Sequence, residues 1–194
     1  MKKLLITILL SFSVVTVASA NTPTEALELS VNQLIAIAAK TDTSDEEKKK
    51  QLAVVINAEV NFNQVSRRIV LKKWKKATAE QKAQFKKQFS IIMVDTYADL
   101  LKNYSNEKVL YVKEQIKKER YAIVDTQVIS GNKKIPIRYR MVKSKDSWKI
   151  YDFVVEGISI VSTYKKNYKG ILKKGGIDLL LEEMIKAKGT EGKD

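Results

Sequence analysis

The spacing of hydrophobic and polar positions changes twice along the chain and divides it into three regions. From residue 22 to about 104, apolar residues recur at intervals of three and four, which is typical of amphipathic helices. From 109 to 155 there are stretches of strict alternation, clearest at 135–141, which indicate half-buried antiparallel strands. Helical spacing returns after Ser159. This order predicts an α+β fold, with an antiparallel sheet of about four strands wrapped by N- and C-terminal helices.

Local signals place the boundaries of these elements. Thr22 with Glu25, Ser44 with Glu47, and Thr78 with Gln81 have the spacing of capping boxes, and Asn61 can cap a further helix. We expect strands at 108–117, 120–130, 134–144 and 147–156, with turn-forming residues at 130–132 (SGN) and 144–147 (SKDS). The pair at 175–176, Gly-Gly, is expected to end the first C-terminal helix before a final helix begins near residue 177.

The first twenty residues form a separate segment. Lys2 and Lys3 precede an apolar stretch over 4–17, and the small residues at 18–20 form a cleavage site. This pattern predicts a secretory signal peptide over 1–20, removed before Asn21. We expect a single domain over 21–188, followed by a flexible charged tail over 189–194.

Two residue types are missing from the chain, and their absence limits its chemistry. The sequence has no His and no Cys, so Ser-His-Asp catalysis, Cys nucleophiles and zinc sites built from these residues are impossible. We therefore expect neither catalysis nor a metal, although carboxylate or lysine chemistry stays open. The net charge of +14 suits an anionic partner, and export argues against nucleic acid as that partner, but the charge could equally belong to a generally basic, solvated surface.

Short motifs follow one another over nearly the whole mature chain. They lie at 65–71 (VSRRIVL), 74–81 (WKKATAEQ), 85 (F), 96–98 (TYA), 104–105 (YS), 135–137 (IPI), 148–152 (WKIYD), 155–159 (VEGIS), 164–165 (YK) and 171–178 (ILKKGGID). In this order they resemble the MlaC family of periplasmic lipid carriers, also called toluene-tolerance or ABC-transporter auxiliary proteins. The chain departs from the family at Lys72, where a glycine is expected.

The resemblance implies a nuclear-transport-factor-like cone enlarged by helices, with an apolar pocket that encloses phospholipid tails. It implies a periplasmic carrier that shuttles phospholipid between membranes and so maintains outer-membrane lipid asymmetry. The implied partners are an outer-membrane lipoprotein–porin complex and an inner-membrane complex with a hexameric lipid-binding ring and an ABC transporter. No cofactor is implied, and we expect a monomer.

A pocket for acyl chains needs large, adaptable apolar walls. The candidates are inward-facing residues of the helices, the sheet and the C-terminal helix: Phe62, Ile69, Trp74, Phe89, Met93, Tyr97, Ile137, Tyr139, Met141, Trp148, Ile150, Val154, Val161, Tyr164, Tyr168 and Leu172. Any one of them could equally belong to an ordinary filled core.

Four arginines stand beside these apolar positions and could contact a lipid headgroup or a partner protein: Arg67, Arg68, Arg138 and Arg140. A guanidinium pairs well with phosphate, but each could instead be a solvated or ion-paired surface residue.

Two other functions remain open. A small-molecule enzyme would need an acid–base pair within the pocket, and Asp95, Asp125 and Asp152 are the candidates. We expect a capping or ion-pair role for Asp152. A non-lipid binding module, such as a chaperone, would instead show an exposed apolar groove.

Overall fold

The helices of the first half follow the predicted capping signals. The structure, a computed structural model, describes residues 22–102, 107–145 and 147–190, without the side chains at 97, 99–102 and 188–190. The helices before the sheet are α1 (Pro23–Ala38), α2 (Asp45–Glu59), α3 (Phe62–Val70), α4 (Lys72–Lys76) and α5 (Ala79–Lys102). The predicted signal peptide lies outside the described residues.

Each predicted cap is present. Thr22 and Glu25 form a reciprocal capping box at α1, and Thr78 and Gln81 exchange two hydrogen bonds of 3.1 and 2.9 Å before α5. The side chain of Ser44 accepts from the backbone of Glu47, and that of Asn61 accepts from Gln64 at the start of α3. These bonds satisfy backbone N–H groups that have no partner within the helix.

The sheet contains the four predicted strands and is antiparallel, as predicted. The strands β1 (Lys108–Lys117), β2 (Tyr121–Ser130), β3 (Lys133–Ser144) and β4 (Ser147–Val155) pair in sequence order, each antiparallel to the next. A short fifth strand, β5 (Ile158–Ser159), was not predicted and returns along β4 through a tight turn. In that turn Glu156 and Gly157 have φ of 48° and 86°, as a two-residue hairpin loop requires.

The sheet leads directly into α6 (Ile160–Thr190), which is broken at Gly176, where φ is 72° and ψ is −152°. This break confirms the two predicted C-terminal helices. Glycine is also required at the preceding position, because a Cβ there would lie 2.5 Å from the Cβ of Leu179. The helix reaches Thr190, two residues into the predicted tail over 189–194, and the rest of that tail lies outside the described residues.

The junction between α3 and α4 lies beside Lys72, where the family resemblance led us to expect a glycine. The preceding residue, Leu71, has a backbone conformation that glycine adopts more readily, with φ 56° and ψ −127°. A side chain in this region of φ/ψ space is strained. Leu71 is the residue at which α3 ends and α4 begins, and its side chain is about half exposed.

Two clusters of buried apolar residues form the core. The larger lies among α3, α5 and both parts of α6, and Tyr151 and Phe153 of β4 pack against it. The smaller lies between α1 and the sheet and includes Leu27 and Val124. The sheet is thus covered by helices, and the candidate site lies where the larger cluster meets β4.

Candidate functional site

A small apolar cavity separates β4 from the helices α3, α5 and α6. It is lined by Val60, Val65, Phe89, Met93, Ile150, Tyr151, Asp152, Phe153, Ile160 and Val161. Its volume is about 10 Å³, which is room for about one water molecule. This cavity, as the described residues form it, is too small for an acyl chain.

Aromatic rings fill the space beside the cavity. Phe89 stacks on Phe85 with a centroid distance of 5.8 Å, and the ring of Tyr164 meets Phe89 edge-on at 4.9 Å. Trp74 and Tyr168 pack edge-on against Phe85 at 5.9 and 6.5 Å. Such pairs add to the stabilisation that burial alone provides. The cavity is narrow because these rings, drawn from α4, α5 and α6, already occupy the volume between the helices.

The structure brings only part of the predicted pocket to the cavity. Phe89, Met93, Ile150 and Val161 line it directly. A second group belongs to the same core cluster without lining the cavity: Phe62, Ile69, Trp74, Tyr164, Tyr168 and Leu172. The side chain of Tyr97 lies outside the described residues. The pocket assignment for all of these stays a prediction.

The sheet residues divide differently from the prediction. Tyr139, Met141 and Trp148 belong to the cluster that faces α1, and the structure does not bring them to the cavity. Ile137 and Val154 are half-buried and belong to neither cluster. The reason is geometric: alternation predicts which residues share a face of a strand, but not which helix covers that face.

Sequence reasoning missed the central part of the cavity wall. Arg140 pairs with Asp152 and Met141 with Ile150, so Tyr151 is an extra residue that forms a β-bulge. A bulge interrupts the period of two, so the face followed from Trp148 and Ile150 does not continue at even-numbered positions, and Tyr151 and Phe153 were not selected. Val65 could have been found, because it lies on the predicted apolar face of α3.

Asp152 is the charged residue of the cavity wall, and its carboxylate is fully engaged. It is 4% exposed. Its Oδ2 accepts hydrogen bonds from Arg140 Nη1 at 2.9 Å and from Ser159 Oγ at 2.8 Å. Its Oδ1 accepts from the backbone N–H of Val161 at 3.1 Å, in the first turn of α6. The predicted capping and ion-pair role of Asp152 is therefore confirmed.

The other two aspartates considered for catalysis are also ion-paired. Asp125 accepts two hydrogen bonds from Arg138, at 2.6 and 3.2 Å, and Asp95 lies 2.6 Å from Lys49. Neither lines the cavity. Among the described residues, no group of three possible metal ligands lies close enough together to hold an ion.

The four predicted headgroup arginines have different surroundings. Arg138 and Arg140 are neutralised by Asp125 and Asp152, while Arg67 is exposed on α3. The guanidinium of Arg68 lies over the ring of Tyr151, with 4.0 Å between its central carbon and the ring centroid. A headgroup role for these residues stays a prediction. Arg68 differs from the other three, because it contacts a cavity-lining residue and has no carboxylate partner among the described side chains.

Burial also affects three tyrosines near the core. It raises the pKa of Tyr139 to about 12, because a buried phenol resists ionisation. Burial also raises the pKa of Tyr168 and of Tyr111, and the charge of Glu28 adds to the increase at Tyr111. The phenols therefore remain neutral at physiological pH.

Comparison with known proteins gives consistent matches. A family model described as MlaC protein matches residues 28–186. The intermembrane phospholipid transport system binding protein MlaC of Haemophilus influenzae is 32% identical over 130 residues, which cover 64% of this chain and 61% of that protein. This match thus spans less than two thirds of the relative. A toluene tolerance protein of Pseudomonas putida is 23% identical over 184 residues, covering 90% of this chain and 84% of that protein.

A solved structure shares the fold. It is a phospholipid-binding protein from Ralstonia solanacearum, determined in complex with a phospholipid. It superimposes with a TM-score of 0.79 at 24% identity, over 87% of this chain and 97% of that chain. The likeness confirms the predicted fold class. Within the described ranges, no helix combines the length and the apolar composition needed to cross a membrane.

Proposed function

Because this chain belongs to the MlaC family, we propose that it is a periplasmic phospholipid carrier that shuttles lipid between outer- and inner-membrane complexes and so maintains outer-membrane asymmetry. The observation that carries the proposal is the match of the family model over residues 28–186, and the apolar cavity between β4 and the helices α3, α5 and α6 is the candidate place for the tails. The names of the Haemophilus relative and of the Ralstonia protein, which mention phospholipid, support it.

The physical task of such a carrier is to keep acyl chains away from water. At ~0.8 kcal/mol per methylene, roughly thirty methylenes cost about 24 kcal/mol to expose. A bilayer and an apolar protein interior shield the chains about equally well, so transfer between them is nearly balanced. Direction then comes from the partner complexes. No bond is broken in this process, which suits a cavity whose charged residue, Asp152, is already fully hydrogen-bonded.

The small cavity sets a condition on this function. A volume of about 10 Å³ does not admit an acyl chain, so lipid must enter as the helices and β4 move apart. Tails would then replace the contacts that Phe89, Met93 and Val161 make across the cavity. We therefore expect a lipid-loaded protein to have a wider interior than the structure described here.

Native mass spectrometry of protein purified from the periplasm, followed by lipid extraction, tests the proposal. We expect phospholipid at roughly one molecule per chain, since a pocket of this kind encloses a single ligand. Protein that carries no lipid from cells should also take up phospholipid from vesicles. A chain that is free of lipid after purification and takes none from vesicles would contradict the proposal.

A further inference from the structure

We infer that Arg68 forms a phosphate-binding site at the rim of the cavity, which takes the phosphate of a phospholipid whose tails enter the cavity. This inference rests on the proposed function and names a headgroup contact for it. Its starting point is the position of Arg68 on α3, one turn after Val65, which lines the cavity. The guanidinium lies 4.0 Å from the ring centroid of Tyr151, a second lining residue.

The charge of Arg68 has no carboxylate partner among the described residues. Its Nη1 donates to the backbone oxygen and to the side-chain oxygen of Gln64, both neutral groups. These bonds and the ring of Tyr151 hold the guanidinium in place while leaving N–H donors on its other nitrogens for a ligand. By contrast, Arg138 and Arg140 are each engaged by an aspartate. A guanidinium that is fixed, half-buried and not neutralised is suited to bind phosphate.

The surrounding sequence has the same sign of charge. The segment 61–78 contains six Lys and Arg residues and no Asp or Glu. Beyond Tyr151, the ring of Tyr121 lies 6.0 Å away, and the guanidinium of Arg120 lies 6.0 Å from that ring. Two tyrosines therefore stand between two arginines along this side of the sheet. Such an arrangement attracts an anion, while the adjoining cavity accepts hydrocarbon.

The two parts of the site together select an amphiphile. Phosphate alone would bind Arg68 but leave the cavity empty. A diacylglycerol would fill a widened cavity but leave Arg68 without an anionic partner. A phospholipid satisfies both. Losing one charge-assisted contact should lower the preference for a phosphate-bearing lipid about tenfold or more.

The test compares two lipids with identical tails. Wild-type protein and variants are incubated with phosphatidylcholine vesicles that carry equal amounts of phosphatidylglycerol and the matching diacylglycerol, and native mass spectrometry gives the ratio bound. We expect Arg68→Gln to lower the ratio of phospholipid to diacylglycerol about tenfold. Lys73→Gln removes one positive charge at an exposed position of the same basic segment, and should leave the ratio near that of wild type.

An additional variant and a phosphate control determine whether each result supports or overturns the inference. If Arg68→Gln unfolds, Arg68→Lys keeps the charge but loses the planar donor pair, and should lower the ratio to an intermediate value. Equal ratios in wild type and a folded Arg68 variant would overturn the inference while leaving the carrier function intact. A wild-type protein that takes up no lipid would overturn both. Inorganic phosphate added without lipid distinguishes the sources: Arg68-dependent binding of the free ion, without any lipid preference, would overturn the headgroup assignment.

Discussion

Replacing Asp152 with Asn should weaken the attachment of α6 to the sheet. The substitution keeps the shape of the side chain but turns one carboxylate oxygen into an NH₂ group. If the remaining oxygen keeps the bond from the backbone of Val161, the NH₂ group faces Arg140 and Ser159, both of which donate to that position in the native protein. The Ser159 hydroxyl can rotate, but Arg140 cannot become an acceptor.

The magnitude follows from the exposure of each partner. Hydrogen bonds to a charged group contribute about 1.5–3 kcal/mol each, and removing one partner of a buried ion pair costs about 3–5 kcal/mol. The side chain of Arg140 is 40% exposed, against 2% for Asp152, so water compensates part of the loss at the arginine. We expect the free energy of unfolding to fall by about 2 kcal/mol, which lowers the melting temperature by about 4–8 °C in a domain of this size.

Urea unfolding of the purified variants checks this value. The urea concentration at the midpoint should fall, while the slope of the free energy of unfolding against urea concentration stays constant, because the surface exposed on unfolding does not change. Asp125→Asn is the matched control, because it removes the carboxylate from the more exposed Arg138–Asp125 pair, which joins the same strand β3 to β2 instead of β4. That control should cost no more than about 1 kcal/mol. Equal losses for the two variants would refute the reasoning that burial makes Asp152 different.

Three further predictions concern the cavity, the backbone and the buried phenols. Val161→Phe should reduce the phospholipid recovered per chain, at an overpacking cost of about 1–3 kcal/mol. The exposed Val54→Phe should leave lipid content unchanged, and equal content in both would contradict the cavity assignment. Leu71→Gly should raise the free energy of unfolding by about 1 kcal/mol, because relief of strain outweighs the entropy cost of glycine, whereas Leu71→Ala should give no gain. Burial raises the pKa of Tyr139 from 10.0 to about 12, so its contribution to the free energy of unfolding is fully present below pH 10 and is lost as the pH rises to 12. A Tyr139→Phe variant should lose less stability over that interval.

Local signals in the sequence were sufficient for most element boundaries. The capping side chains at Thr22, Asn61 and Thr78 act within three residues, so their patterns can be recognised in isolation. The strands were placed within about a residue. Lys118 and Glu119, between β1 and β2, give no turn signal, but the turns at 130–132 and 144–147 contain residues that favour reversal. The break at Gly176 was visible for the same reason, since paired glycines rarely continue a helix.

Features that depend on contacts between distant segments were not predictable in this way. The bulge at Tyr151 adds one residue to β4 and leaves no signature in composition. The contact between Arg68 and Tyr151 joins residues far apart in the chain, so no local sequence pattern predicts it. Whether Trp74 fills the core or lines a pocket depends on how closely its neighbours pack, which is a property of the folded interior and not of any single segment.

The polar links around the cavity indicate which wall is best able to move when lipid enters. β4 is tied to the start of α3, where Asn61 N donates to Ile150 O at 2.7 Å, and to the start of α6 through Asp152. Among the described residues, α5 instead makes hydrogen bonds and an ion pair with other helices, for example between Ser90 and Asn57. Across the cavity, α5 presents the apolar side chains of Phe89 and Met93 to β4. Moving α5 away from β4 therefore breaks apolar contacts that acyl chains can replace, whereas moving α3 or α6 would also break hydrogen bonds that hydrocarbon cannot restore.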